Sequence, residues 1–328
     1  MAASADGTTP KTVAEPHAVN SENRCVTVIF NPVSGQGDPE ERKRRISEGL
    51  AEHGYRCQHL VTTPEQGARY WVEQALADGV DLLAVSGGDG TIVETMAALI
   101  GKNIPLAIFP AGTGNLLSVN LGLPKSVPEA VHAALFGERR RLDLGRITPT
   151  VPADEPEYFA ILAGAGYDAS VIEGADRETK KRLGLAAYLW SAIKNLRHRP
   201  VLAKIRLDGA KHRLRRRANS VMIANMGMIQ GNIAVIPDAV PDDGYLDVAI
   251  LKAETLGSWL RLMGSIMTKR LHDDPSIEFH KARRIEVELS SPQPMQYDGE
   301  NTKEARSAFL VEILPGAVEV MVPKAAPI

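Results

Sequence analysis

Long apolar runs are absent from this chain of 328 residues. No stretch reaches the ~18 residues that a membrane-crossing helix needs. Residues 1–23 lack the apolar segment of a secretory signal and are expected to form a disordered tail. Cysteine is nearly absent as well, with only Cys25 and Cys57. Their spacing fits neither a metal site nor a redox pair, so reduced thiols in a cytoplasmic protein are expected. No charge sign dominates: 38 Lys and Arg face 40 Asp and Glu. There is thus no overall field to draw the chain to nucleic acid or anionic lipid, and any such attraction has to be local. A Walker A motif is missing, and no single Gly-x-Gly-x-x-Gly opens a Rossmann unit. Both absences weigh against P-loop ATPases and dehydrogenases.

What is present begins with three repetitions of one pattern. Val26–Phe30, Asp81–Val85 and Ile104–Phe109 are short apolar runs suited to strands buried on both faces. Each leads into a glycine-rich turn: Asn31-Pro-Val-Ser-Gly-Gln-Gly37, Ser86-Gly-Gly-Asp-Gly-Thr91 and Pro110-Ala-Gly-Thr-Gly-Asn115. Helical patterns follow. Asp38 is the expected N-cap of the first, with Pro39 in its first turn. Thr63 and Pro64 predict the start of a second helix bearing Trp71, Ala75 and Leu76. Ser126 with Glu129 predicts a capping box. The alternation describes a parallel α/β domain over residues 24–144. Beyond it, strand-like runs dominate: Tyr158–Leu162, Val201–Leu207, Ser220–Ala224, Leu246–Leu251, Ile285–Leu289, Phe309–Leu314 and Val318–Val322. Asp208-Gly209 signals a hairpin. Only two long helices interrupt, at about 180–196 and 255–271. The fold class is therefore α/β followed by an antiparallel all-β domain with attached helices, at residues 145–309.

Ligands of open α/β sheets bind at the carboxyl ends of the strands, where all three turns lie. Glycine lets backbone N–H groups approach phosphate oxygens, and the following helices point their positive ends there. One such turn alone reads as a structural turn; three on one sheet edge point to a phosphate ligand. Asp89 sits among the glycines and is a candidate magnesium contact or proton acceptor. Asp298-Gly-Glu300 puts two carboxylates side by side. If partly buried together they would raise each other's pKa and make one a better base for an alcohol. By itself that tripeptide is a surface turn, as is Pro241-Asp-Asp-Gly244. Between Lys180 and Arg217 basic residues cluster, densest at Lys211–Arg217. This is either a solvated face or a dock for anionic lipid. A helical apolar stripe (Leu256, Trp259, Leu260, Met263, Ile266, Met267) reads first as core and second as a wall facing lipid.

Taken together, these motifs resemble the diacylglycerol kinase catalytic family, which includes bacterial lipid kinases and sphingosine and ceramide kinases. The similarity continues through Gly164–Ala169, Asn225, Pro237–Asp247 and Asp298–Glu300, covering about residues 24–322. The resemblance implies a first domain like those of NAD kinases and phosphofructokinases, and a second that is a β-sandwich. It also implies that the end of the chain, about residues 310–328, returns to the first domain. It implies an ATP-dependent lipid kinase acting on diacylglycerol or a related lipid. Asn31, Pro32, Val33, Ser34, Gly35, Thr62, Gly87, Gly88, Asp89, Gly90, Thr91, Ile92, Val93 and Thr113 would contact ATP. Glu300 would accept the proton with Asp298 beside it, and Asp89 is the rival base, as in sphingosine kinases. A structural magnesium would sit on Asp243 and the carbonyls of Val240 and Tyr245. A cytoplasmic enzyme that visits anionic membranes, with homodimers possible and no nucleic acid partner, completes the expectation. The alternatives are an NAD kinase and a catalytically inactive nucleotide- or lipid-binding protein.

Overall fold

The computed structural model describes residues 25–35, 37–112, 114–149, 155–166, 200–229, 233–268, 270–302 and 305–324. The helix expected at 180–196 lies outside them.

The first half is built as the apolar runs require. Strands β1 (Cys25–Phe30), β2 (Arg56–Val61), β3 (Leu83–Gly87) and β4 (Leu106–Pro110) pair in parallel in the order β2-β1-β3-β4. Both faces of this sheet are covered, which is why β1 and β3 carry almost no polar residues. Helix α1 (Pro39–Glu52) covers one face, and α2 (Ala68–Ala77) and α3 (Asp89–Ala98) the other. Helix α4 (Leu116–Asn120) is a single short turn, and α5 (Val127–Phe136) joins α1 on its face.

The helix starts test the capping rules individually. The Asp38 carboxylate accepts the Glu40 N–H at 3.0 Å, and Pro39 is the first helical residue. Helix α2, in contrast, starts at Ala68 rather than after Thr63. The Thr63 hydroxyl instead closes a turn by accepting the Gln66 N–H at 3.1 Å, and the Glu94 carboxylate reaches over from α3 to take the Arg69 N–H at 3.1 Å. At α5 the Ser126 hydroxyl donates to Glu129 at 2.7 Å, and neither side chain returns to the backbone as a capping box would.

The second half contains β5 (Glu138–Pro149), β6 (Glu157–Phe159), β7 (Leu162–Gly166), β8 (Val201–Leu207), β9 (Leu214–Ala218) and β10 (Ser220–Ala224). After a minor pair, β11 (Met228–Ile229) and β12 (Ile233–Ala234), come β13 (Leu246–Leu251) and helix α6 (Leu256–Met267). The chain ends with β14 (Ile277–Ala282), β15 (Arg284–Gln293), β16 (Met295–Tyr297), β17 (Glu300–Asn301) and β18 (Arg306–Val322). An antiparallel sheet, β14-β13-β10-β7-β16-β17, packs against the β18-β15-β8-β9 part of the first sheet, enclosing Phe159, Val248, Ile285 and Phe309. This is an α/β domain followed by a β-sandwich, the fold class expected. The hairpin at Asp208-Gly209 forms with positive φ at both residues (48° and 69°), as a type I′ turn requires.

One strand ties the halves together. The runs Phe309–Leu314 and Val318–Val322 are not separate strands but parts of β18, interrupted by a register shift between Leu314 and Val318. Its first part pairs antiparallel with β15, Val320 pairs in parallel with Leu106 of β4, and β5 runs along its other edge. A continuous hydrogen-bonded strand through both layers fixes their mutual position far better than a flexible linker would. Asn225, fully buried, adds a staple: its side-chain amide donates to the carbonyls of Asp143 and Ala160, both at 2.9 Å.

Candidate active site

The strand order decides whether the three glycine turns meet. Because β1, β3 and β4 are consecutive neighbours, their carboxyl ends lie about 5 Å apart, one after another. The Ser34 hydroxyl accepts the Gly88 N–H at 3.1 Å, and the Asn31 side chain donates to the Thr91 hydroxyl at 2.8 Å, joining the first turn to the second. A Cβ on Gly112 would stand 2.8 Å from the Gly88 Cα, so the second and third turns touch backbone to backbone. A carboxylate reinforces this junction: Asp89 takes the N–H groups of Leu116 and Leu117, each at 3.1 Å.

Asn31 N–H goes to the Ser86 carbonyl, and Val33 N–H to the side chain of Asn31. Ser34 and Gly35 N–H have no acceptor among the described residues. At the start of α3, Asp89, Gly90 and Thr91 have no intrahelical acceptor and no capping side chain. Five amide donors therefore border one crevice at the switch point of the sheet, where β1 leads to β2 on one side and β3 lies on the other. Thr62 follows β2 beside them, with its N–H on the Phe30 carbonyl at 2.9 Å. Ile92 is fully buried and belongs to the core, so its side chain cannot meet a ligand, whereas Val93 lines a cleft wall. Val33 is 87% exposed at the rim. Thr113 lies outside the described residues.

Beside the turns opens a cleft of about 490 Å³, between α2, α3 and the edge of the second sheet. Gly90, Thr91, Val93, Tyr158, Tyr297, Asp298 and Glu300 line it. Asp298 and Gly299 form the two-residue turn of the β16–β17 hairpin, both with positive φ (47° and 86°). The tripeptide is thus a hairpin turn, and the turn is what delivers Glu300 to the cleft. The two acids have different surroundings. Asp298 accepts the N–H groups of Ala160, Ile161 and Leu162 at 2.6, 2.9 and 2.9 Å, which is why the predicted strand Tyr158–Leu162 breaks into β6 and β7. Burial pushes its carboxyl up to about 7 against the pull of these three donors, with the Asp89 charge adding to the rise. The shift therefore comes from desolvation, not from pairing with Glu300. Glu300 is exposed and has no hydrogen-bond or ion-pair partner among the described residues. A Cβ on Gly90 would collide with its carboxylate, so Glu300 lies directly against the start of α3.

Sequence reasoning missed the far side of the cleft. Arg306 holds Glu157 through two contacts, 2.6 and 3.0 Å, and burial raises the pKa of Tyr297 nearby. None of these residues stands in a motif; folding assembles them from β6, β16 and β18.

The magnesium expected on Asp243 meets a different arrangement. One Asp243 oxygen accepts the Tyr245 N–H at 2.9 Å, and the other holds the Lys281 ammonium at 2.7 Å. Lys281 also stands 3.5 Å from Asp247. Among the described residues no group of three or more His, Cys, Asp or Glu could hold a metal. As arranged, the Asp243 carboxylate at the expected Val240–Asp243–Tyr245 site is taken up by the Lys281 ammonium, which a cation there would have to displace. The basic run is also partly spoken for: Arg213 pairs with Glu288 at 2.5 Å and Arg216 with Glu278 at 2.7 Å, leaving Arg215 and Arg217 exposed. The helical stripe divides, with Trp259 in the core, Ile266 packed against it, and Leu256, Leu260 and Met267 exposed at 41, 44 and 74%. No helix among the described residues is long and apolar enough to cross a membrane.

This geometry sets an α/β domain, with its glycine turns converging at one sheet edge, against an acidic hairpin, and proteins of known family share the two-domain architecture. Residues 25–147 match the diacylglycerol kinase catalytic domain, and residues 162–322 the YegS C-terminal NAD kinase beta sandwich-like domain. The chain is similar to a protein of Stenotrophomonas maltophilia named probable lipid kinase YegS-like, with 30% identity over 84% of this chain and 89% of that one. It is 28% identical to a diacylglycerol kinase of Mycobacterium tuberculosis over 80% of this chain and 84% of the relative. A crystal structure of a diacylglycerol kinase from Bacillus anthracis superposes with a TM-score of 0.71 at 25% identity, covering 92% of this chain and 98% of that one. The chain belongs to the diacylglycerol kinase catalytic family, in its bacterial lipid kinase branch, and is a member of a family of kinases.

Proposed function

We propose that this chain transfers the γ-phosphoryl group of Mg–ATP to the hydroxyl of diacylglycerol or a related lipid. Residues 24–144 together with 310–328 act as the nucleotide half, and 145–309 as the acceptor half. Phosphoryl transfer needs positioned phosphates, neutralised charge and a route for the acceptor proton. The amides of Ser34, Gly35, Asp89, Gly90 and Thr91 supply the first, and the magnesium that arrives with ATP supplies the second. Glu300 supplies the third. An alcohol is far too weak an acid to ionise at neutral pH, so a carboxylate has to take its proton as the new P–O bond forms.

The observation that carries this reading is the Glu300 carboxylate, without a partner among the described residues, lying against Gly90 beside the converging amides. It also favours Glu300 over Asp89, whose two oxygens already serve the amides of Leu116 and Leu117. Asp298 anchors the hairpin on residues 160–162. A lipid acceptor has to come from a bilayer, and the exposed Leu256, Leu260 and Met267 of α6 are suited to transient contact with one. The test is incubation with γ-labelled ATP and a panel of lipid alcohols and NAD, followed by separation of products. Label on a lipid is expected. Label on NAD, or nucleotide binding with no transfer to any alcohol, would overturn the proposal.

A further inference from the structure

Arg42 projects from α1 beneath the first glycine turn. Its guanidinium donates to the carbonyl oxygens of Ser34 and Asn31, at 2.5 and 2.6 Å, and stacks on the Phe30 ring 4.5 Å from the centroid. Gly35 is closely confined from the other side, since a Cβ there would collide with the Ala111 carbonyl and stand 3.2 Å from an Arg42 nitrogen. The peptide unit is planar and trans, so a carbonyl drawn to one side sends the next N–H to the other. With the Ser34 carbonyl held by Arg42, the Gly35 N–H points away from α1. That amide is one of the two in the turn with no acceptor among the described residues.

We infer that Arg42 is a positioning residue for the nucleotide. It pins the first turn at Asn31 and Ser34, so that the Gly35 N–H is presented to a phosphate, and it places a fixed positive charge behind the turn. This rests on the nucleotide reading given above. Position 42 carries a basic residue in a helix crowded with them (Lys43, Arg44, Arg45), and its role is visible only in its contacts. Arg44 and Arg45 pair with Glu41 on the exposed side of the helix, and Lys43 with Glu40, while Arg42 alone of the four binds backbone carbonyls of the turn. Lysine is a poor substitute, because one ammonium cannot reproduce two forked contacts to fixed carbonyls and the stack on Phe30.

The test uses the full chain with Arg42→Ala and Arg42→Lys. Mg–ATP affinity is measured by equilibrium binding, KM and kcat are measured with a lipid acceptor, and folding is monitored by thermal unfolding. Arg42→Ala should raise Kd and KM for Mg–ATP about tenfold or more, the scale of lost charge-assisted hydrogen bonds, with kcat within about threefold. Arg42→Lys should recover only part of the affinity, and added guanidinium chloride at tens of millimolar should partly rescue the alanine variant but not wild type. If the alanine variant does not fold, the lysine variant carries the same comparison. Wild-type affinity in a folded variant would overturn the role of Arg42 alone. A wild-type chain that binds no Mg–ATP would overturn the nucleotide reading, and this inference with it.

Discussion

Glu300→Gln isolates the proton acceptor from everything else in the cleft. The substitution keeps the size of the side chain and removes only its basicity. Glu300 is exposed and unpartnered among the described residues, so folding stability should change by less than about 0.5 kcal/mol. The glycine turns do not depend on it, and KM for Mg–ATP should stay within about threefold. A positioned base contributes about 10²–10⁴ in rate, so kcat should fall by that factor, about 2.7–5.5 kcal/mol on the barrier. The assay is initial rates at saturating Mg–ATP with the preferred lipid, with unfolding temperature and nucleotide affinity as controls. A folded, nucleotide-binding Glu300→Gln that keeps more than about a tenth of wild-type kcat would refute the assignment of the base.

Further outcomes test other parts of the site. Asp89→Ala strands the amides of Leu116 and Leu117; a loss of about 1–3 kcal/mol in stability is expected from denaturant unfolding, together with weaker Mg–ATP binding as the third turn loosens. For Asp298, burial raises the carboxyl from 3.8 to about 7, so the folded chain keeps a proton that the unfolded chain releases. The resulting stabilisation is complete below about pH 3.8 and is lost as pH rises through about 7. The stability difference between wild type and Asp298→Asn should therefore shrink across that window; a difference that grows instead would mean that the three amides outweigh burial. Glu278 behaves oppositely: the contact with Arg216 leads the effects that hold its carboxyl at about 2 instead of 4.5. Its contribution, up to about 3 kcal/mol before screening, is present above pH 4.5 and lost as pH falls toward 2, so Glu278→Gln should flatten the acid limb of a thermal-unfolding series.

Patterning over a few residues was legible directly. Both-face apolar runs and glycine turns determined the parallel sheet, its three glycine-rich turns and the edge on which they lie, because side-chain period and turn chemistry are local properties. Asp208-Gly209 determined its own hairpin for the same reason, and Asp298-Gly299 formed another that carries Glu300 into the cleft. Tertiary structure decided what local pattern cannot encode. The strand order β1-β3-β4 brings the turns together, and β18, read locally as two strands, ties the sandwich to the parallel sheet. The partners of Asp89, Asp298 and Arg42 lie across turns, strands or helices from them, at contacts fixed by packing. For that reason the resemblance could assign different roles to Asp298 and Glu300, but only packing shows that Asp298 holds three backbone amides while Glu300 has no partner among the described residues.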